Sequence, residues 1–412
     1  MKVTHVTQNY APSRGGTQHT IKKVSEYLVK EFNDEVSVFT TNSYYGPNRN
    51  EFKKIKPNEE YINGVYVKRF NFIRLHRPFI KYYKALRKKV GANTSTTFFE
   101  ELNTGPVSPS LNASIKNTQS DVICASSLHY LFADYPLWKI DNKKPFVLYG
   151  AVHIEEDETI PEKYLRRIRH CDYYIANTTF EKNVLMKHNV AGEKIKVIGA
   201  ATDVFNYADK LETESELRKK YKIEQNVKVF LYLGRQEASK NIECLLRAYK
   251  DIKKLDIPAI LIIAGAKGSF ASTIEMEAEI DKSLIVFSDI TDFQKCELLK
   301  LCDILVLPSS AESFGVVFLE AWSYNKPVIG ANIGAIASLI EKDKDGLLFD
   351  PHNPKDLVLK MKTLLLNKEL CNAMGKAGYD KVMKHYTWPV IATKFRETYE
   401  MAIESSKKKS RK

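Results

Sequence analysis

Glu312 and Glu320, with seven residues between them in "PSSAESFGVVFLEAW", are the acidic pair of this chain best placed to grip a hydroxyl-rich ligand. Vicinal hydroxyls of a hexose or ribose can both donate to one carboxylate, so one Glu for a sugar and one for a ribose is chemically sensible. Ser313, Phe314 and Gly315 open a helix beside Glu312, leaving backbone N–H groups without helical partners. Glu320 stands among Val316, Val317, Phe318, Leu319 and Trp322, where a carboxylate is costly unless something hydrogen-bonds it. The competing reading makes both capping or salt-bridging glutamates. In "LGRQEASKN", Arg235 and Lys240 follow a strand at its carboxyl end, where open α/β sheets bind ligands. Two cations there suit a diphosphate, and Arg adds a bidentate fork; a solvated surface pair is the alternative. Gly15 and Gly16, between a strand and a helix in "QNYAPSRGGTQHT", can present N–H groups to an anion or serve a tight turn. That segment has neither the Gly-x-Gly-x-x-Gly spacing nor the Lys-Ser/Thr of a P-loop, which argues against nicotinamide, flavin and ATPase readings. His153 closes the strand "FVLYGAVH"; a lone histidine there is ordinarily structural.

Short β-branched runs alternating with amphipathic stretches must position these residues, the pattern of parallel sheets covered by helices. Strands are expected at 2–8, 35–41, 122–127, 146–153, 173–178 and 195–202, with Ile21, Val24, Leu28 and Phe32 forming one face of a helix between the first two. The pattern restarts at 228–235 and continues at 259–266, 284–289, 303–309, 327–332 and 346–350, with helices after Asn353. A length of 412 residues with this restart gives two doubly wound domains. The expected division is 1–205, 206–388, and a last helix with a basic tail over 389–412, the polar segment 204–226 being the linker.

Hydrophobic residues make up 44% and charged residues 27%, ordinary for a globular chain. No apolar run approaches the ~20 residues that span a bilayer, and the first residues lack a secretion signal, so a cytoplasmic protein is expected. Six cysteines without paired spacing point to free, buried thiols rather than a disulfide framework or zinc site. The net charge of +13 is concentrated in residues 1–200, where 30 basic residues face 20 acidic ones, and in the tail 407–412. Within 74–89, seven Lys or Arg alternate with apolar side chains, forming a basic amphipathic helix suited to an anionic membrane surface or packed on the sheet. The Thr/Ser/Asn-rich stretch 91–119 reads as a long loop. Asp343-Lys344-Asp345 reads as a solvated turn rather than a metal motif, and the acidic run 155–158 as a loop.

In these motifs the chain resembles the retaining glycosyltransferases of group 1, similar to glycosyltransferase family 4, with two facing Rossmann-like domains (the GT-B fold). The resemblance rests on Gly15-Gly16, Gly234-Arg235 with Lys240, Pro308-Ser309, the 312/320 pair, Pro327-Val328, and "YTW" (386–388) opening the last helix. It implies that Arg235 and Lys240 hold a donor diphosphate. Glu312, Ser313 and the backbone at Phe314 and Gly315 would hold the transferred sugar, and Glu320 the ribose. His153 would stand beside the reacting sugar, Ile290 would face the base, and the last helix would cross back to the first domain. The chain departs from the family pattern at Asn325, and at Gly334, Ala335 and Ser338, where a Gly-Gly pair followed by Glu is frequent.

The expected activity is metal-independent, cofactor-free transfer of a sugar from a nucleoside diphosphate donor to a hydroxyl acceptor, with retention. No nucleophile stands out, so a diphosphate oxygen is expected to take the acceptor proton. Cell-surface polysaccharide or glycolipid assembly, near an anionic membrane through 74–89 and 407–412, is the expected setting. Two alternatives stay open: a nucleotide-sugar 2-epimerase of the same fold, and a non-catalytic binder of nucleic acid or anionic surfaces. The chain carries no recognisable nucleic-acid reader.

Overall fold

A computed structural model describes the chain except residues 14, 46–51, 57, 74–106, 127, 129–143, 153, 155–156, 256 and 411–412. The basic run 74–89 and His153 therefore lie outside the described residues.

Two separate sheets carry the two lobes. In the first, eight strands run in the order Ile195–Val197, Tyr173–Ala176, Phe146–Tyr149, Val122–Ser126, Lys2–Thr7, Glu35–Thr41, Val65–Phe70 and Glu59–Ile62. Every pair is parallel except the last, an antiparallel hairpin in which Ile62 faces Val65. Neither that hairpin nor the small antiparallel pair Ser43–Tyr45 with Phe52–Lys54 is expected from the sequence. Exposed Tyr61 and Glu59 give an edge strand little apolar alternation to read.

The second sheet is parallel throughout, ordered Leu284–Ser288, Ala259–Gly265, Lys228–Leu233, Ile304–Leu307, Val328–Ala331 and Gly346–Phe349. This is the doubly wound order, with the reversal between Lys228–Leu233 and Ile304–Leu307. Near-continuous apolar runs such as "LYL" and "ILVL" are what strands covered on both faces require.

Two sequence expectations need correction. Residues 214–220 are not linker but a helix, Glu214–Lys220, started by a reciprocal Thr213–Glu216 capping box. It packs on the second lobe by burying Leu217 and Arg218, the latter bonded to the Val227 carbonyl at 2.9 Å. Within the stretch read as a loop, Pro109–Asn117 is a helix capped by Ser108, with Leu111 and Ile115 buried. Polar composition hid a two-residue apolar face.

The C-terminal helix Trp388–Ser410 crosses back to the first lobe. Trp388, Ile391, Phe395, Tyr399 and Ala402 join Val3, Ile21, Val24 and Leu28 in one core. Polar contacts fix its register there: Tyr399 bonds buried His5 at 2.9 Å, and Arg396 donates to Asp34 at 2.9 Å. Burial drives the His5 imidazole down to about 3, so it stays neutral. Five cysteines are buried and Cys371 half-buried, all free. No described helix is long and apolar enough to cross a membrane.

Candidate functional site

The sheet reversal of the second lobe sets two loops side by side, 234–240 and 308–315. Lys240 Nζ reaches across to Glu312 Oε1 at 2.7 Å, and to Ser309 Oγ at 3.4 Å and the Ala311 carbonyl at 3.5 Å. Three acceptors use all three ammonium protons. Arg235, more exposed, pairs with Glu237. Arg235, Lys240 and Glu312 line one cavity of about 230 Å³ with Gly234, Gly315 and Val316. Gly315 precedes the helix Val316–Trp322 in the left-handed region, φ 90°, and Phe314 is buried edge-on against Tyr386.

Glu320 points to a different chamber, a cleft of about 880 Å³ between the lobes. Its Oε1 accepts from Lys295 Nζ at 2.6 Å, Lys295 standing one turn into the helix Asp292–Leu301. Burial alone would lower the Lys295 ammonium, but the Glu320 carboxylate beside it outweighs that and holds it above its ordinary value. Gly15, Gly16 and Ser313 line the same cleft, Gly16 starting the helix Gly16–Phe32 from the facing lobe. A third cavity, about 200 Å³, lies between the lobes where Ile154 and Phe180 face Glu312, Gly334 and Ala335. Val316 is common to the 230 Å³ cavity and the 880 Å³ cleft, and Glu312 to the 230 Å³ and 200 Å³ cavities. The 230 Å³ cavity thus adjoins each of the other two through a shared residue, and together they make the groove between the loops and the facing lobe.

Each of the two carboxylates is thus partnered by a lysine, not by a bare helix terminus. No local motif in the sequence marks Lys295. Thr291 and Asp292 mark the start of its helix, but only the packing of that helix beside Glu320 reveals the pair. Ile290 packs on the second-lobe core and lines none of these cavities. Asp345, read as a solvated turn residue, is 1% exposed and ion-paired with Lys381, so that reading is corrected for this residue. Glu158 pairs with Lys187 at 2.6 Å.

A hub missed by the sequence reading closes one end of the cleft. Asp203 accepts from His19, from Lys23 at 2.9 Å and from the Trp388 indole at 3.0 Å. It ties the first-lobe helix, the chain leaving that lobe and the returning helix. Burial pushes its carboxyl up, but the hydrogen bonds from His19 and Lys23 outweigh burial and hold it well below the ordinary range. A depressed folded value means stability that is present above the unfolded pKa, ~3.9, and is lost as pH falls towards the folded one. Asp203→Asn should cost about 2 kcal/mol at neutral pH, less than for a fully buried pair because Asp203 keeps some exposure. Thermal unfolding of both proteins between pH 3 and 7 checks this: the gap should narrow on acidification below pH 4.

Residues 213–381 match the family model described as glycosyl transferases group 1. The D-inositol 3-phosphate glycosyltransferase of Rhodococcus jostii is 26% identical over 241 residues, 56% of this chain and 53% of that protein. The sulfoquinovosyl transferase SQD2 of Arabidopsis thaliana is 40% identical over 111 residues, 26% of this chain and 22% of that protein. The chain spans about half to two thirds of the length of the first curated relatives it matches. Among solved structures, the Anabaena protein HepE in complex with UDP and glucose superposes with a TM-score of 0.69 at 17% identity, covering 97% of this chain and 100% of that one. Sucrose-phosphate synthase from Thermosynechococcus elongatus also gives 0.69, at 16% identity over 98% and 99%. These likenesses show a shared fold.

Proposed function

Because residues 213–381 are a glycosyl transferases group 1 domain in a chain of GT-B fold, we propose that this protein transfers a sugar from a nucleoside diphosphate donor to a hydroxyl acceptor. The observation that carries the reading is the set of adjoining cavities, one lined by Glu320 and Lys295 and the next by Arg235, Lys240 and Glu312. Ribose at Glu320, diphosphate at Arg235 and Lys240, and sugar at Glu312 follow the order of groups in such a donor. Lys240 would leave Glu312 to meet the phosphates, freeing the carboxylate for sugar hydroxyls. Cations preorganised at the leaving diphosphate stabilise the charge that develops there, typically ~10²- to 10³-fold per group.

Transfer proceeds with retention in this reading, a diphosphate oxygen accepting the acceptor's proton, and needs no metal because the lysine and arginine take the charge-neutralising role. The UDP and glucose seen with HepE and the sugar-transferring names of the relatives agree with this class of donor. A membrane-proximal acceptor in surface glycan or glycolipid assembly fits the basic surplus of residues 1–200 and the tail.

A panel of UDP-, GDP- and ADP-sugars, assayed for donor cleavage with and without EDTA, tests the reading. Slow, EDTA-insensitive hydrolysis of one donor is expected, the released sugar keeping its anomeric configuration by NMR. Isomerised donor would favour the epimerase, and no cleavage with any donor would overturn the transferase.

A further inference from the structure

The first-lobe wall of the groove contains a buried carboxylate that the reaction above does not use. Glu181, near the start of the helix Thr179–Lys187, is 2% exposed. Its Oε1 accepts from the Tyr174 hydroxyl at 2.5 Å and, at a longer 3.5 Å, from the Val152 N–H. Its Oε2 accepts from the Asn177 N–H at 2.8 Å. Capping does not require it, since Thr178 already accepts from the Glu181 N–H at 3.1 Å.

Of its partners Asn177 lines the groove, while Tyr174 and Val152 lie behind or beside residues that do. Gly150, Ala151 and Asn177 line the large cleft. Phe180, next to Glu181 in the chain, lines the cavity it shares with Glu312 and packs over Gly334, where an added Cβ would sit 3.2 Å from its ring. Tyr174 props the turn from below: a Cβ at Gly150 would fall 1.5 Å from the tyrosine hydroxyl, so only glycine permits the contact. Ala151 then takes φ 56°, a left-handed conformation that costs a non-glycine residue roughly 1 kcal/mol and persists only when its surroundings hold it. Burial pushes the Glu181 carboxyl up to about 7, so the chain keeps an acid where ionisation is disfavoured.

We propose that Glu181 is a positioning residue for sugar transfer, fixing the Gly150–Val152 turn and Phe180 at the first-lobe wall through Tyr174, Val152 and Asn177. This rests on the transferase reading. The second-lobe groups expected to hold the nucleotide are untouched by it, so the role separates catalysis from donor binding.

Full-length Glu181→Ala should lower turnover of the donor found in the panel by about 10- to 100-fold, the scale of a ~1 Å misplacement. Its nucleoside diphosphate affinity, by calorimetry, should stay within about threefold. Amide exchange at Gly150–Val152 should quicken. Glu181→Gln keeps the shape, can accept from Asn177 and can donate to Tyr174, and should recover most of the turnover. Unchanged turnover in Glu181→Ala, unchanged exchange at the turn, or an equal fall in nucleotide affinity would each overturn the proposal. Should that variant fail to fold, Tyr174→Phe carries the same test, with turnover and turn exchange read together. Were wild type inert to every donor, the transferase reading would fall, while the exchange measurement would still decide whether Glu181 holds the turn.

Discussion

Lys240→Met should lower donor turnover by about 10²- to 10³-fold while the protein still folds. The ammonium is mostly buried and makes three contacts, to Glu312, Ser309 and Ala311, all within the site. Methionine matches its volume and removes its charge, leaving Glu312 without the ion pair it makes among the described residues. Breaking a buried pair costs ~3–5 kcal/mol when both partners are fully enclosed; residual exposure on both sides here brings the stability loss to about 2 kcal/mol. Glu312→Gln in the same background should restore that stability, because no uncompensated charge remains, but not turnover. The double-mutant cycle is therefore strongly non-additive in unfolding free energy. Denaturant unfolding and donor cleavage on the four proteins measure both quantities. Turnover of Lys240→Met within threefold of wild type would remove Lys240 from the reaction.

Gly315→Ala should produce the second large loss, and by backbone geometry alone. At φ 90° and ψ 54° the residue lies where a side chain is strained by roughly 1–3 kcal/mol. A methyl group there would also come 2.7 Å from the ring of Phe318, which is fully enclosed in the second-lobe core and has nowhere to go. The turn carrying Glu312, Ser313 and Phe314 must shift, so donor turnover should fall by about 10²-fold with a lower melting temperature. Gly16→Ala is the matching control for stability. Nothing lies within 4 Å of a Cβ at Gly16, and alanine favours the helix it begins, so the melting temperature should hold or rise. A melting temperature for Gly315→Ala equal to wild type would refute the strain at that turn.

Much of this molecule was legible as sequence because its core strands are apolar on both faces. All six second-lobe strands fall within a residue or two of their expected positions, since "FLYL" and "ILVL" admit no other use. Arg235, Lys240 and Glu312 were legible too: a strand end, a turn and a short-range motif place each of them locally. What stayed hidden had weak local signal. The helix Glu214–Lys220 looked like linker because burying Leu217 and Arg218 leaves five of its seven residues polar or charged on the outside.

The sequence alone determined two parallel-sheet lobes and the residue types of the groove, because periodicity and strand-end position are properties of neighbours in the chain, while the crossing of the last helix came only from the family resemblance. Only the tertiary structure decided who pairs with whom. Lys295 meets Glu320 across 25 residues, Asp203 meets Trp388 across 185, and Tyr174 comes to lie beneath Gly150 on the neighbouring strand. Each of these contacts depends on sheet order and on how one helix docks against another. Charge pairing between distant segments leaves no periodic trace in the chain, since any lysine can satisfy any buried carboxylate once packing has carried it within about 3 Å.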